Sequence, residues 1–194
     1  KIKNLDENAL KNGVVCSSAG NHAQGVALAS KLNKNRAVIV MPQTTPSIKI
    51  EAVKALGAEI ILHGDNYDEA FSKAKEIEQS KSLTFIHAFD DPYVIAGQGT
   101  IGIEILEQLN ETIDAIFIPI GGGGLISGIA TYVKEVQPNI KIIGVEPEDS
   151  ASMKASLAAN KQITFDHVGI FADGVAVKRV GDIPFLLCKK YIDE

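Results

Sequence analysis

Four consecutive glycines, Gly121, Gly122, Gly123 and Gly124, stand between the apolar run Ala115-Ile-Phe-Ile-Pro-Ile120 and the stretch that begins at Leu125 and continues Ile126-Ser-Gly-Ile-Ala-Thr-Tyr-Val133. The first run reads as a strand and the second as a helix, so the glycines form a tight strand-to-helix turn. Glycine adopts dihedrals and permits close approaches that a side chain would block. A helix start beyond the turn offers unpaired N–H groups and the positive end of a dipole, which suits a phosphate. A lone glycine here would read as tight packing of helix on strand; four in succession favour contact with a ligand.

Two common phosphate binders do not fit the spacing. Gly123 and Gly128 are separated as in a P-loop, but Ile129-Ala130 follow where Lys-Ser/Thr is needed. A dinucleotide fingerprint fails in both registers, because its third glycine falls on Ser127 or Ile126. Glu146 ends the next strand about where a ribose-binding acid would sit, which keeps a nicotinamide-dependent oxidoreductase as an alternative.

With 194 residues, 45% of them apolar, the chain can bury a core as one large domain or two small ones. A net charge of -5 without a Lys/Arg cluster argues against a nucleic-acid partner. Cys16 and Cys188 lie far apart in an otherwise Cys-free chain and read as buried thiols of a reducing compartment, the cytoplasm. The opening Lys1-Ile-Lys-Asn-Leu-Asp-Glu7 is no secretory signal. The 19 uncharged residues from Ala115 to Val133 approach a membrane-spanning length, yet Pro119 and the glycines fit a strand, a turn and a buried helix instead. No membrane partner is expected.

Short β-rich runs alternate with helical periods. Strands are expected at residues 13–17, 36–41, 58–62, 83–86, 114–118 and 140–145. Tyr67, Ala70, Phe71, Ala74 and Ile77 form one helical stripe; Ile48, Ala52, Val53 and Leu56 form another, with Pro46 before it and Gly57 after it. The alternation predicts βαβ units, a mostly parallel sheet and an α/β fold class. Glycine content rises after Asp90-Asp91-Pro92, which divides the chain into residues 1–91 and 92–194. Nothing before Gly13 reads as a full strand, and the chain stops at Tyr191-Ile-Asp-Glu194 as a helix ends, so it reads as truncated at both ends.

A second motif, Cys16-Ser-Ser-Ala-Gly-Asn-His-Ala-Gln-Gly25, also joins a strand end to a helix start. Ser17, Ser18, Ala19 and Gly20 are small enough to leave backbone amides accessible, and Asn21 and His22 project polar groups from the first turn. A carboxylate suits such a place. Taken alone, the motif would read as an ordinary helix cap with a solvated histidine. Two anion-receiving helix starts in one chain suggest one ligand site.

These two motifs resemble those of the fold-type II pyridoxal-phosphate enzymes, and specifically the threonine and serine dehydratases. Val40-Met-Pro42, Ala96-Gly-Gln-Gly-Thr100, Val145-Glu-Pro-Glu-Asp-Ser150 and Phe171-Ala-Asp-Gly-Val-Ala-Val-Lys-Arg-Val-Gly-Asp182 extend the likeness over nearly the whole chain. The resemblance implies a three-layer α/β/α architecture in two sub-domains, a small one in residues 1–91 and part of a large one in 92–194. It implies pyridoxal 5'-phosphate as cofactor, held at its phosphate by Gly121, Gly122, Gly123, Gly124 and Leu125. Asn21 is implied to contact the pyridine 3'-oxygen, while Ser18, Ala19, Gly20 and His22 receive the substrate carboxylate.

The implied reaction turns L-threonine, with L-serine as secondary substrate, into 2-oxobutanoate or pyruvate and ammonia. Serine dehydratase or serine racemase is the alternative within the family, and a non-catalytic ligand-binding module is one outside it. Related racemases carry a proton-transferring serine where this chain has Ala19, which disfavours racemisation. The family's Schiff-base lysine, in a Ser-Phe-Lys-like segment, is expected upstream of Lys1, so these residues contain no catalytic lysine and the chain alone should be inactive. Relatives suggest a homo-oligomer, dimer or tetramer, for the full-length protein. His63, His87 and His167 show no metal-ligand spacing, so no metal is expected; Asp173 and Glu146 read as ordinary loop residues that a cation or the cofactor could also use.

Overall fold

The computed structural model describes residues 1–169 and 171–194, and at Asp173 the backbone alone; the suggested role of the Asp173 side chain lies outside what is described. The chain folds as two compact units, Lys1–Ala88 and Phe89–Glu194.

The first unit contains α1 (Glu7–Asn12), β1 (Val14–Ser17), α2 (Asn21–Asn33), β2 (Ala37–Met41), α3 (Ser47–Lys54), β3 (Glu59–Leu62), α4 (Tyr67–Lys81) and β4 (Thr84–Phe85). Its strands form one parallel sheet in the order β3-β2-β1-β4. All residues of β1 and β2 are buried, so both faces of the sheet are covered. Val15, Val38 and Val40 share one face and pack with Ala70, Ala74 and Ile77 of α4, the stripe expected from the sequence. Alternation sends Val14, Cys16, Ile39 and Met41 to the opposite face, and α2 lies against β1 and β2. The result is three layers, helix on sheet on helix.

The second unit contains α5 (Pro92–Gln108), β5 (Ala115–Pro119), α6 (Gly124–Val136), β6 (Lys141–Val145), α7 (Ser152–Ala158) and α8 (Asp182–Tyr191). Strands β5 and β6 pair in parallel, Ile116 beside Ile142 and Ile118 beside Gly144. Its core gathers Ile118, Ile126, Ile129, Val133, Ile142 and Met153 with Phe185 and Cys188 of α8. Helices α5 and α6 cross closely at Gly99 and Gly128, where a methyl on Gly128 would stand 2.6 Å from the Gly99 amide nitrogen. Residues 89–91 go with this unit for a local reason: Asp91 caps α5, its carboxylate accepting from Tyr93 N (2.9 Å) and Val94 N (3.2 Å).

Helix starts fall into two groups. Asp6 caps α1, and Asn66 caps α4 through Glu69 N (3.0 Å), with Glu69 returning to Asp65 N (2.8 Å). Helices α2 and α6 begin at Gly20 and Gly123 with no side-chain cap at all. Helix α3 also lacks one, but its start at residues 46–48 is exposed to solvent.

Candidate functional site

In the second unit, the strand-to-helix turn leaves β5 at Pro119 and enters α6 at Gly124. Gly122, Gly123 and Gly124 are buried, and Gly123 sits at φ 92°, a left-handed conformation that favours glycine. The first bond into the helix runs from Ser127 N to Gly123 O (3.0 Å). Among the described residues, no amide from Gly121 through Ile126 finds a protein acceptor. Buried backbone N–H groups are almost always paired, because an unpaired one forfeits its hydration. Consecutive amides with the positive end of the α6 dipole behind them are a donor set suited to an anion. Phosphate, with three acceptor oxygens, fits this donor set.

The glycines are required for a reason the sequence alone did not give. The space beside each is filled by protein. A Cβ on Gly124 would lie 2.8 Å from Phe89 Cα, and one on Gly122 would enter the Phe89 ring. On Gly123 it would come to 2.7 Å from Pro184 Cβ and 2.8 Å from Met153 Cε, and on Gly121 to 3.1 Å from Val175 Cα. Four glycines therefore fit a turn pressed from one side by its own fold while its amides point elsewhere. The carbonyl of Gly122 is also fixed, accepting from Gly181 N (3.0 Å).

In the first unit, β1 ends at Ser17, and Ser18 N still donates to Val40 O (3.1 Å). Ser18 Oγ then accepts from Gly20 N (3.2 Å), folding the loop back on itself. The amides of Ala19, Asn21, His22 and Ala23 have no acceptor among the described residues. Asn21 is exposed, whereas Ser18, Ala19 and Gly20 are half-buried. His22 turns inward to Ile86 O, 3.0 Å from Nε2. A carbonyl only accepts, so Nε2 carries the proton; burial, and secondarily the neighbouring His87, hold the ring below its ordinary pKa. The ring is thus a structural tie, and the donors the loop leaves without an acceptor among the described residues are its amides.

Glu146 is engaged elsewhere than at a ribose. Its Oε1 accepts from Met153 N (2.9 Å) and its Oε2 from Lys154 N (2.8 Å), which caps α7. The nicotinamide alternative loses the residue on which it rested. Cys16 and Cys188 are buried and unbonded to each other; burial pushes both thiols up, Cys188 to about 12. Neither is a reactive thiolate. His87 packs against the rings of Phe71 and Phe85. Among the described residues, no group of three or more His, Cys, Asp or Glu side chains is placed to hold a metal, and no helix is long and apolar enough to cross a membrane. Lys54 pairs with Glu51 (3.0 Å) and Lys73 with Glu76 (2.8 Å), as charges on helix surfaces do.

Amides without acceptors among the described residues, in a glycine turn on a parallel α/β fold, suit the class of enzyme that holds its cofactor by a phosphate. The whole chain, residues 1–194, matches the family described as pyridoxal-phosphate dependent enzyme, and it belongs to that family. It is similar to the biosynthetic L-threonine dehydratase of Pasteurella multocida, 56% identical over 193 residues, which is 100% of this chain and 37% of that protein. It is also similar to the mitochondrial threonine dehydratase of Schizosaccharomyces pombe, 53% identical over 195 residues, 100% of this chain and 32% of that one. The chain therefore spans well under half the length of these curated relatives. Among solved structures, the processed form of threonine deaminase isoform 2 from Solanum lycopersicum superposes with a TM-score of 0.94 at 53% identity, covering 99% of this chain and 56% of that one. Maize serine racemase superposes at 0.93 with 38% identity, covering 100% and 58%. The fold is that of the fold-type II enzymes.

Proposed function

We propose that the protein containing this chain is a pyridoxal-phosphate threonine dehydratase, converting L-threonine, and more slowly L-serine, into the 2-oxo acid and ammonia. One observation carries the reading: the run of amides from Gly122 to Ile126, in residues that are buried or, at Leu125, half-buried, has no acceptor among the described residues at the start of α6. Similarity to threonine dehydratases over the full length of the chain supports the choice of reaction.

When bound, pyridoxal phosphate supplies the electron sink that lets an amino acid lose its α-proton and β-hydroxyl. Gly121, Gly122, Gly123, Gly124 and Leu125 would hold its phosphate by their backbone amides. Asn21, exposed at the start of α2, would contact the 3'-oxygen of the ring. The amides around Ser18, Ala19, Gly20 and His22 take the substrate carboxylate, aided by the α2 dipole. Ala19 offers no proton to a second face, which favours elimination over racemisation. The neutral His22 adds no charge and keeps the loop attached to residue 86. In this reading the unit Lys1–Ala88 carries the substrate-carboxylate loop and the unit Phe89–Glu194 the phosphate turn of a dimeric or tetrameric cytoplasmic enzyme.

The test uses the full-length protein. The cofactor's visible absorption band should appear on purification, shift on addition of L-threonine, and be accompanied by 2-oxobutanoate and ammonia. D-serine from L-serine as the main product would replace this reading with a racemase. A protein without the band that releases no 2-oxo acid would end it.

A further inference from the structure

The phosphate turn is held by a residue far from it in sequence, and we propose that Asp90 is the positioning residue of the cofactor phosphate. The inference rests on the reading of the glycine turn as the phosphate site.

Helix α8 has no cap of its own. Gly181 precedes it, and the side chain of Asp182 is drawn away by Gln162 Nε2 and by Arg179, both 2.7 Å from its Oδ1. The cap comes instead from Asp90. Its Oδ2 accepts from Asp182 N (3.0 Å) and its Oδ1 from Ile183 N (2.9 Å). Both oxygens of one carboxylate thus bind successive amides at a helix start, a charge-assisted arrangement stronger than a neutral cap. The contact is tight: a Cβ on Gly181 would fall 2.9 Å from Asp90 Cγ.

The pinned helix start touches the turn twice. Gly181 N donates to Gly122 O, which sets the plane of the peptide joining Gly122 to Gly123 and so the direction of the Gly123 amide. Pro184, in the first turn of α8, packs where a Gly123 side chain would be. Phe89, beside Asp90 in sequence, presses on Gly122 and Gly124 from the same segment. Asp90 therefore fixes both the carbonyl and the packing that aim the amides, its two oxygens being engaged by Asp182 N and Ile183 N.

Charge and position give opposite signs. Removing a carboxylate near an anion site tightens anion binding if only the long-range field matters. If Asp90 acts by position, removing it loosens the amides and weakens binding. Asp90→Asn is close in shape, keeps one acceptor oxygen and loses the charge; Asp90→Ala keeps neither oxygen.

The test compares full-length wild type, Asp90→Asn and Asp90→Ala. Cofactor dissociation constants come from equilibrium dialysis and the environment of the bound phosphate from its phosphorus resonance. Asp90→Ala should raise the dissociation constant about tenfold or more, the loss of charge-assisted bonds transmitted to the turn, and move the resonance. Asp90→Asn should fall between the two, and its constant and resonance alone decide the matter if Asp90→Ala fails to fold. Unchanged constants with an unmoved resonance, or tighter binding in Asp90→Asn, would overturn the role of Asp90 alone. A wild type that binds cofactor without a protein-shifted phosphorus resonance would end the phosphate reading and this inference with it.

Discussion

The imidazole of His22 donates from Nε2 to the carbonyl of Ile86 at 3.0 Å, joining the first turn of α2 to the residue that follows β4. Ile86 N in turn donates to Val15 O (2.9 Å), so the tie ends on the sheet edge. Burial, first, and then the nearby His87 lower the pKa of His22, while the bond to Ile86 opposes them. A histidine whose folded pKa is depressed binds a proton more readily when unfolded. Stability is therefore unaffected above the unfolded value of about 6.5 and declines as pH falls below it, until the folded ring also protonates.

The denaturant midpoint of the wild type should drop over that window, and the drop should shrink in His22→Gln. Parallel midpoint-against-pH curves for the two proteins would show that His22 is not a buried neutral group.

A methyl on Gly122 would enter the ring of Phe89. Gly122→Ala should therefore destabilise by about 2 kcal/mol or more, through overpacking. Shortening the neighbour should relieve it, so the double variant Gly122→Ala/Phe89→Leu should be less destabilised than the sum of the singles. A double-mutant cycle read by urea unfolding measures the coupling. Additive effects would mean that the glycine turn is not pressed against Phe89.

These two relationships mark where sequence reasoning reaches. Strand and helix periods are local, so the stripe from Tyr67 to Ile77 and the runs of β1, β2, β3, β4, β5 and β6 are legible in the sequence, as are both turns. Helix α5 is not legible as an element, because Gly97, Gly99 and Gly102 interrupt its apolar pattern. Two of those three, Gly99 and Gly102, serve the crossing with α6, which no period in the sequence announces. The glycine turn was legible as a turn. That Phe89, Pro184 and Met153 fill the space beside it depends on residues distant in sequence. The spacing of Glu146 from the glycines suggests a ribose, whereas its hydrogen bonds are set by α7, which follows it.

Gly128 lies inside α6, where alanine would stabilise an isolated helix by about 1 kcal/mol. Here a Cβ would meet Gly99 N at 2.6 Å, across the contact with α5. Gly128→Ala should reverse the propensity sign and cost about 2 kcal/mol or more. Gly99→Ala should act in the same direction, with Gly128 O at 3.0 Å from the added carbon. Thermal unfolding of the two variants checks this, and a raised midpoint in either would place that glycine away from the helix crossing.

Glu146 separates a capping role from a charge role. Its carboxylate binds the amides of Met153 and Lys154, yet burial, the larger effect, raises its pKa above the ordinary glutamate value. A folded pKa raised above the unfolded one means that the ionised form weakens the fold at neutral pH, relief coming as pH falls through the raised value. The acceptor oxygens, by contrast, stabilise α7. Glu146→Gln keeps an acceptor and sheds the charge, so it should unfold at a midpoint equal to or above the wild type at pH 7. Glu146→Ala removes the cap and should lose about 1–2 kcal/mol. Neither change should create or abolish NAD binding, measured by fluorescence titration. A wild type that binds NAD and loses it in Glu146→Gln would return this carboxylate to a ribose.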